Sequence, residues 1–96
     1  MLLVFALNAH AVKLSETTIQ TIKVSTSETF QNENDALEAA FSLEDQLHNR
    51  RSNEFKKLRK SCDDFIRLLK PTIVRLEVGE DRKIKGVVHA KIRCKR

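Results

Sequence analysis

Five cations and a histidine recur at alternate positions near the end of this chain: Lys83, Lys85, His89, Lys91, Arg93 and Lys95. On an extended strand, side chains two residues apart point the same way and stand about 6.5–7 Å apart. That is the scale of the separation between neighbouring phosphates on a nucleic-acid strand. A row of this kind neutralises phosphates one by one and releases their counterions, giving salt-sensitive affinity with little sequence preference. Arg75 and Arg82 extend the row from the preceding segment, and Glu77 partly offsets it. The competing reading is structural: a solvated outer face, or an edge strand that its lysines keep from pairing with other chains.

A second basic group precedes it. Lys56, Lys57, Arg59, Lys60, Arg67 and Lys70 lie on the polar side of a predicted helix, with Arg50 and Arg51 just before. A basic helix can track a phosphate backbone or enter a major groove. Asp63 and Asp64 interrupt the group, as they would on an ordinary solvated face. Lys56, Lys57, Lys60 and Arg67 are the residues expected to support the strand.

The acids lie elsewhere. Glu38, Glu44 and Asp45 belong to an acidic cluster around the first helix, which also holds Glu28, Glu33 and Asp35. That face would repel a polyanion or bind a basic protein. It motivates the rival expectation of a protein–protein interaction module that regulates or inhibits a larger complex. Two faces of opposite charge also permit a homodimer.

Signals for catalysis are weak, and a non-enzymatic protein is expected. The chain has no Gly-rich phosphate loop, HExxH or GxSxG. Cys62 is followed by Asp63 and Asp64, whose negative charge would raise a thiol pKa rather than activate it. His10, His48 and His89 show no metal-ligand spacing with one another or with the cysteines, so neither metal nor cofactor is expected. Trp and Tyr are absent, and the five Phe fall mostly in apolar stripes. Stacking on unpaired bases is therefore disfavoured, and a duplex or structured nucleic acid is the better-matched partner.

The elements that must position these residues are bounded by size. Ninety-six residues suffice for a single domain, 1–96, with one modest core. The net charge of +5 conceals an asymmetry. Residues 1–49 hold two cations against seven anions, and residues 50–96 hold sixteen against six. Such a distribution points to nucleic acid or to an acidic protein surface.

Residues 2–9 are apolar and strand-compatible, and residues 17–26 contain seven β-branched residues in ten. A turn at Lys13–Glu16 would join them as a hairpin. Residues 34–70 are helical in composition and contain neither Gly nor Pro. The apolar-free stretch 48–54 divides them into predicted helices near 33–48 and 52–70, with Asn32 or Asn34 capping the first, Ser52 the second and Pro71 ending the second. Residues 72–78 and 83–95 alternate with period two around the turn signal at residues 79–82. The expected fold is α+β: a mostly antiparallel sheet of about four strands, ordered hairpin, one or two helices, hairpin, with the helices on one face. Its predicted core is Leu3, Phe5, Leu7, Ile22, Val24, Leu37, Phe41, Leu47, Phe55, Leu58, Phe65, Leu69, Val74, Leu76, Val78, Ile84, Val88 and Ile92. Gly86 suggests a bulge, but only an unbulged strand keeps the later cations on the face opposite Ile84.

Cys62 and Cys94 fall on apolar positions, as free buried thiols do, and imply a reducing, cytoplasmic setting. A Cys62–Cys94 disulfide follows only if the chain is exported. Ala9-His10-Ala11 resembles a signal-peptidase site, but the apolar run Leu2–Leu7 lacks a basic flank and is short for a leader. It is also too short to span a bilayer, so no membrane association is expected. The leading expectation is therefore a small cytoplasmic protein that contacts nucleic-acid phosphates.

Overall fold

The computed structural model describes residues 17–95. The elements are β1 (Thr17–Ser25), α1 (Glu33–Leu47), α2 (Asn53–Arg59), β2 (Phe65–Val78) and β3 (Ile84–Lys95). The three strands form one antiparallel sheet in the order β1-β3-β2. The fold is α+β, with three strands rather than about four among the described residues. The predicted strand at 2–9, its hairpin with β1, and the core positions Leu3, Phe5 and Leu7 lie outside them.

β3 is the central strand. It pairs with β1 from Val87 to Lys95 without interruption, and with β2 from Ile84 to Cys94. The 26–30 segment completes the β1 side: Thr26 N–H donates to the Gly86 carbonyl (2.9 Å), and Phe30 and Ile84 exchange two backbone hydrogen bonds of 2.7 Å. The strand runs straight through Gly86, and both register shifts lie opposite Phe65–Arg67 and Leu69–Ile73 of β2. The predicted β2–β3 hairpin is present. Its turn closes through Gly79 N–H to the Lys83 carbonyl (2.9 Å), and Asp81 accepts from Lys83 N–H (3.1 Å).

Two helices form, and the bend between them falls in the apolar-free stretch. Asn32 caps α1 by accepting from Asp35 N–H at 2.8 Å, with Glu33 and Asp35 favourable in the first turn. Ser52 caps α2 by accepting from Phe55 N–H at 3.1 Å. The Ser52 hydroxyl itself donates to the carbonyls of Gln46 and Asn49 at the end of α1.

The second helix, however, ends at Arg59, not at residue 70. Residues 65–70, expected as helix, form the start of β2. FIRLL is compatible with either state, and the neighbours decide. A central strand must satisfy its backbone groups on both sides, and only a strand as long as Phe65–Val78 spans β3 from Ile84 to Cys94. Pro71 is accommodated inside β2, in the irregular stretch between Leu69 and Ile73 on the outer side of the sheet, where no ladder donor is required.

The helices cover one face. Leu43, Leu47 and Leu58 cluster with Val88, Ile92 and Cys94, and Ile22, Val24, Cys62, Phe65, Leu68 and Val74 surround them. The rings of Phe55 and Phe65 meet edge to face, with centroids 5.7 Å apart. α1 buries Ala36, Ala40, Leu43 and Leu47, so the predicted stripe is rotated. Leu37 and Phe41, expected in the core, are 36% and 49% exposed. Small residues face the sheet because α1 lies against Gly86; a Cβ there would sit 2.5 Å from that of Ala40. Val78, also expected in the core, is 70% exposed beside the hairpin turn.

The expectation of free thiols is overturned as well. Cys62, in the α2–β2 connection, is disulfide-bonded to Cys94 of β3, with Cα atoms 6.4 Å apart. No helix among the described residues is long and apolar enough to cross a membrane.

Candidate polyanion-binding face

Residues opposite one another across an antiparallel ladder project from the same face. The face away from the helices therefore follows from the pairing. β3 contributes Lys85, Val87, His89, Lys91, Arg93 and Lys95; β1 contributes Thr17, Ile19, Thr21, Lys23 and Ser25 opposite them; β2 contributes Arg67, Leu69, Ile73, Arg75 and Glu77. Among the described residues, seven Lys or Arg side chains, with His89, share this surface with a single carboxylate, Glu77.

Most of this surface is legible in the sequence. Lys85, His89, Lys91, Arg93 and Lys95 lie on β3 as expected, and Lys83 is an exposed residue of the preceding turn. Because β3 is central, its lysines do not guard an edge. Arg75 joins the face, whereas Arg82 stays in the turn. Arg67 reaches it from β2, directly opposite Arg93, rather than from a helix. Lys23 is the addition that sequence reasoning misses: the alternation Ile22-Lys23-Val24 shows that it points away from the core, but not that β3 is its neighbour.

Lys56, Lys57 and Lys60 do not join. They belong to α2 or its C-cap, and α2 packs through Leu58 on the opposite face of the sheet. Lys57 pairs instead with Glu54 at 3.6 Å. The basic helix and the basic strand thus form two surfaces, and only the strand surface is extended by its neighbours. The acids of α1 are also on the helix side. Glu38 and Asp45 are exposed, while Glu44 accepts a 2.5 Å hydrogen bond from the Thr72 hydroxyl, which also lies 3.1 Å from His48 Nε2. Glu44 therefore ties α1 to the irregular part of β2.

Charge is distributed unevenly along the open face. Near the hairpin turn, Glu77 accepts from Lys23 Nζ at 2.7 Å and lies 3.8 Å from Lys85 Nζ. Lys23 stands opposite His89 and Glu77 opposite Lys85, so their contact crosses β3 diagonally over Val87. Val87 is fully buried although neither α1 nor α2 lies on its side. Elsewhere on the face, Arg67, Arg75, Lys91, Arg93 and Lys95 have no carboxylate partner among the described residues. The Nε of Arg93 is buried there without an acceptor.

No protein-family profile matches this chain, and neither does any curated protein or solved structure. The chemistry of the face must therefore be argued from its own residues. With both cysteines in the disulfide, the chain holds no thiol nucleophile.

The hydrogen bond from Lys23 holds the Glu77 carboxyl below the ordinary carboxylate range; the charges of Lys23, Lys85 and His89 act in the same direction and partial desolvation opposes them. The ion pair therefore stabilises the fold above the usual carboxylate pKa of about 4.3, and this contribution is lost as pH falls through the lowered folded value. Glu77→Gln should remove that acid-side loss and release Lys23 and Lys85. For a polyanion ligand, the slope of log affinity against log salt should steepen by about 0.9–1.8, one or two more phosphates neutralised. An unchanged slope in fluorescence-anisotropy titrations would show that the two lysines do not reach the ligand.

Proposed function

We propose that this chain is a small, non-enzymatic binding protein that lays the sheet face opposite its helices along the phosphate backbone of a duplex or structured nucleic acid. The observation carrying this reading is the sevenfold excess of cations over carboxylates on one face built from three strands. No Phe side chain lies on that face among the described residues, which favours backbone contact over base stacking. The helix cations Lys56, Lys57 and Lys60 are removed from the binding surface. The disulfide shifts the compartment: such bonds persist where the surroundings are oxidising, so an oxidising compartment fits this chain better than the cytoplasm.

The five unpaired cations set the magnitude. Neutralising five phosphates gives a log–log salt slope of about −4.5, hence an affinity loss of about 500-fold between 50 and 200 mM salt. Lys91→Glu with Lys95→Glu, both exposed, should weaken duplex binding by about 10²-fold and flatten the slope by about 1.8. Lys56→Glu with Lys57→Glu should leave both within about twofold, since α2 faces away. Absence of duplex binding at low salt, or binding only to a sulfated polysaccharide, overturns the reading.

One observation favours a second reading. Leu37 and Phe41 form an exposed apolar pair on α1 beside the acids Glu38 and Asp45, the pattern of a contact for a basic protein. Leu37→Ser with Phe41→Ser would then abolish a purified partner's binding, or a homodimer seen by sedimentation, while leaving duplex affinity unchanged. A monomer that binds duplex equally well with and without the pair gives α1 no such role.

A further inference from the structure

We infer that the sheet face opposite the helices contains a discrete subsite for one phosphate ester, seated where β2 departs from β3. Between Leu69 and Ile73, β2 advances four residues while its β3 partners move only from Lys91 to His89. The excess chain leaves a concavity of about 300 Å³ lined by Thr21, Pro71, Ile73, Arg75, His89 and Lys91. That is the lower end of small-molecule pockets, enough for a group the size of a sugar phosphate.

Three strands supply its polar groups. Arg75 offers a planar guanidinium able to hold two phosphate oxygens, Lys91 a point charge, His89 a ring nitrogen and Thr21 a hydroxyl. Neither Arg75 nor Lys91 is engaged by a carboxylate among the described residues. The single acid of the face among the described residues, Glu77, is held by Lys23 and Lys85. Pro71 and Ile73, the latter 47% exposed, add an apolar wall suited to the carbon side of an ester rather than to a free ion. The site deepens the proposed function by fixing where one backbone phosphate and its sugar register, and it rests on that reading only for the polymer.

Titration of the intact, disulfide-bonded protein with ribose 5-phosphate, inorganic phosphate and sulfate, followed by amide chemical shifts, tests the subsite. Saturable shifts centred on Thr21, Ile73, Arg75, His89 and Lys91 are expected, with ribose 5-phosphate at least fivefold tighter than inorganic phosphate or sulfate. Arg75→Gln with Lys91→Gln should weaken ribose 5-phosphate at least tenfold. Ile73→Ser should reduce its advantage over inorganic phosphate while leaving the latter unchanged. Shifts spread evenly to Arg67 and Lys95, equal affinity for all three ligands, or no saturation would overturn the subsite even if duplex binding persists. Saturable ribose 5-phosphate binding without duplex binding would uphold the subsite and overturn the polymer reading.

Discussion

Replacing Cys62 and Cys94 together by alanine should cost about 3–4 kcal/mol and lower the melting temperature by about 12–25 °C. The bond closes a loop across a sequence separation of 32, and without it the unfolded chain regains that loop's entropy. A domain of this size has a total stability of about 5–15 kcal/mol, so the loss is a large share of it. The bond also has a particular position. It fixes the α2–β2 connection to the far end of β3, close to where β2 begins its pairing. Loss of the bond should therefore loosen the Phe65–Leu69 segment first, visible as faster amide exchange there than at Val74–Val78. Reductant added to the native protein should reproduce the melting shift. A shift below about 3 °C in both experiments would mean the bond contributes little.

Gly86→Val should be comparably severe, at about 3 kcal/mol or more, with Gly86→Ala costing about 1–3 kcal/mol. A Cβ on Gly86 would lie 2.5 Å from Ala40 Cβ, 2.8 Å from the Ala36 carbonyl oxygen and 3.1 Å from Ala40 Cα. Two of these three atoms are helix backbone, and the third is a methyl group with nowhere to rotate. Relief requires lifting all of α1, which pulls Leu43 and Leu47 away from Val88 and Ile92. The better strand propensity of Val returns at most about 1 kcal/mol. Ala40→Gly in the Gly86→Ala background should recover part of the loss, despite its own helix cost of about 1 kcal/mol. The Ala36 carbonyl remains in the way, so recovery stays incomplete. Chemical denaturation of the four proteins of this cycle gives the coupling directly; strict additivity would contradict the contact.

The same glycine shows what periodicity can and cannot convey. The alternation from Lys83 to Lys95 separates a core face from a basic face without reference to the rest of the chain, because a period of two leaves each residue only two sides to occupy. It does not show that the helix comes so close at Gly86 that the next turn must present alanine. For that reason Leu37 and Phe41 look like core in the sequence and are not. A helix has a continuous choice of rotation, and the Leu37/Phe41 and Ala36/Ala40 stripes lie only one residue, about 100°, apart. The segment Phe65–Lys70 departs from expectation for another reason. Its local preferences are nearly balanced, and the unpaired side of β3 outweighs them.

By itself, the sequence determined the α+β class, the helical character of residues 34–59, the β2–β3 hairpin and the outward direction of Lys85, His89, Lys91, Arg93 and Lys95. Each is encoded within about fifteen neighbouring residues, by caps, turn residues or a short period. Only the tertiary structure decided that Lys23 joins those cations, that Arg67 does so from a strand rather than a helix, and that Lys56, Lys57 and Lys60 do not. It alone showed that Lys23 is the partner of Glu77 and that Cys62 meets Cys94. Those outcomes depend on which strand lies beside which and on which side the helices settle. Both are fixed by contacts between distant parts of the chain, where no local pattern reaches.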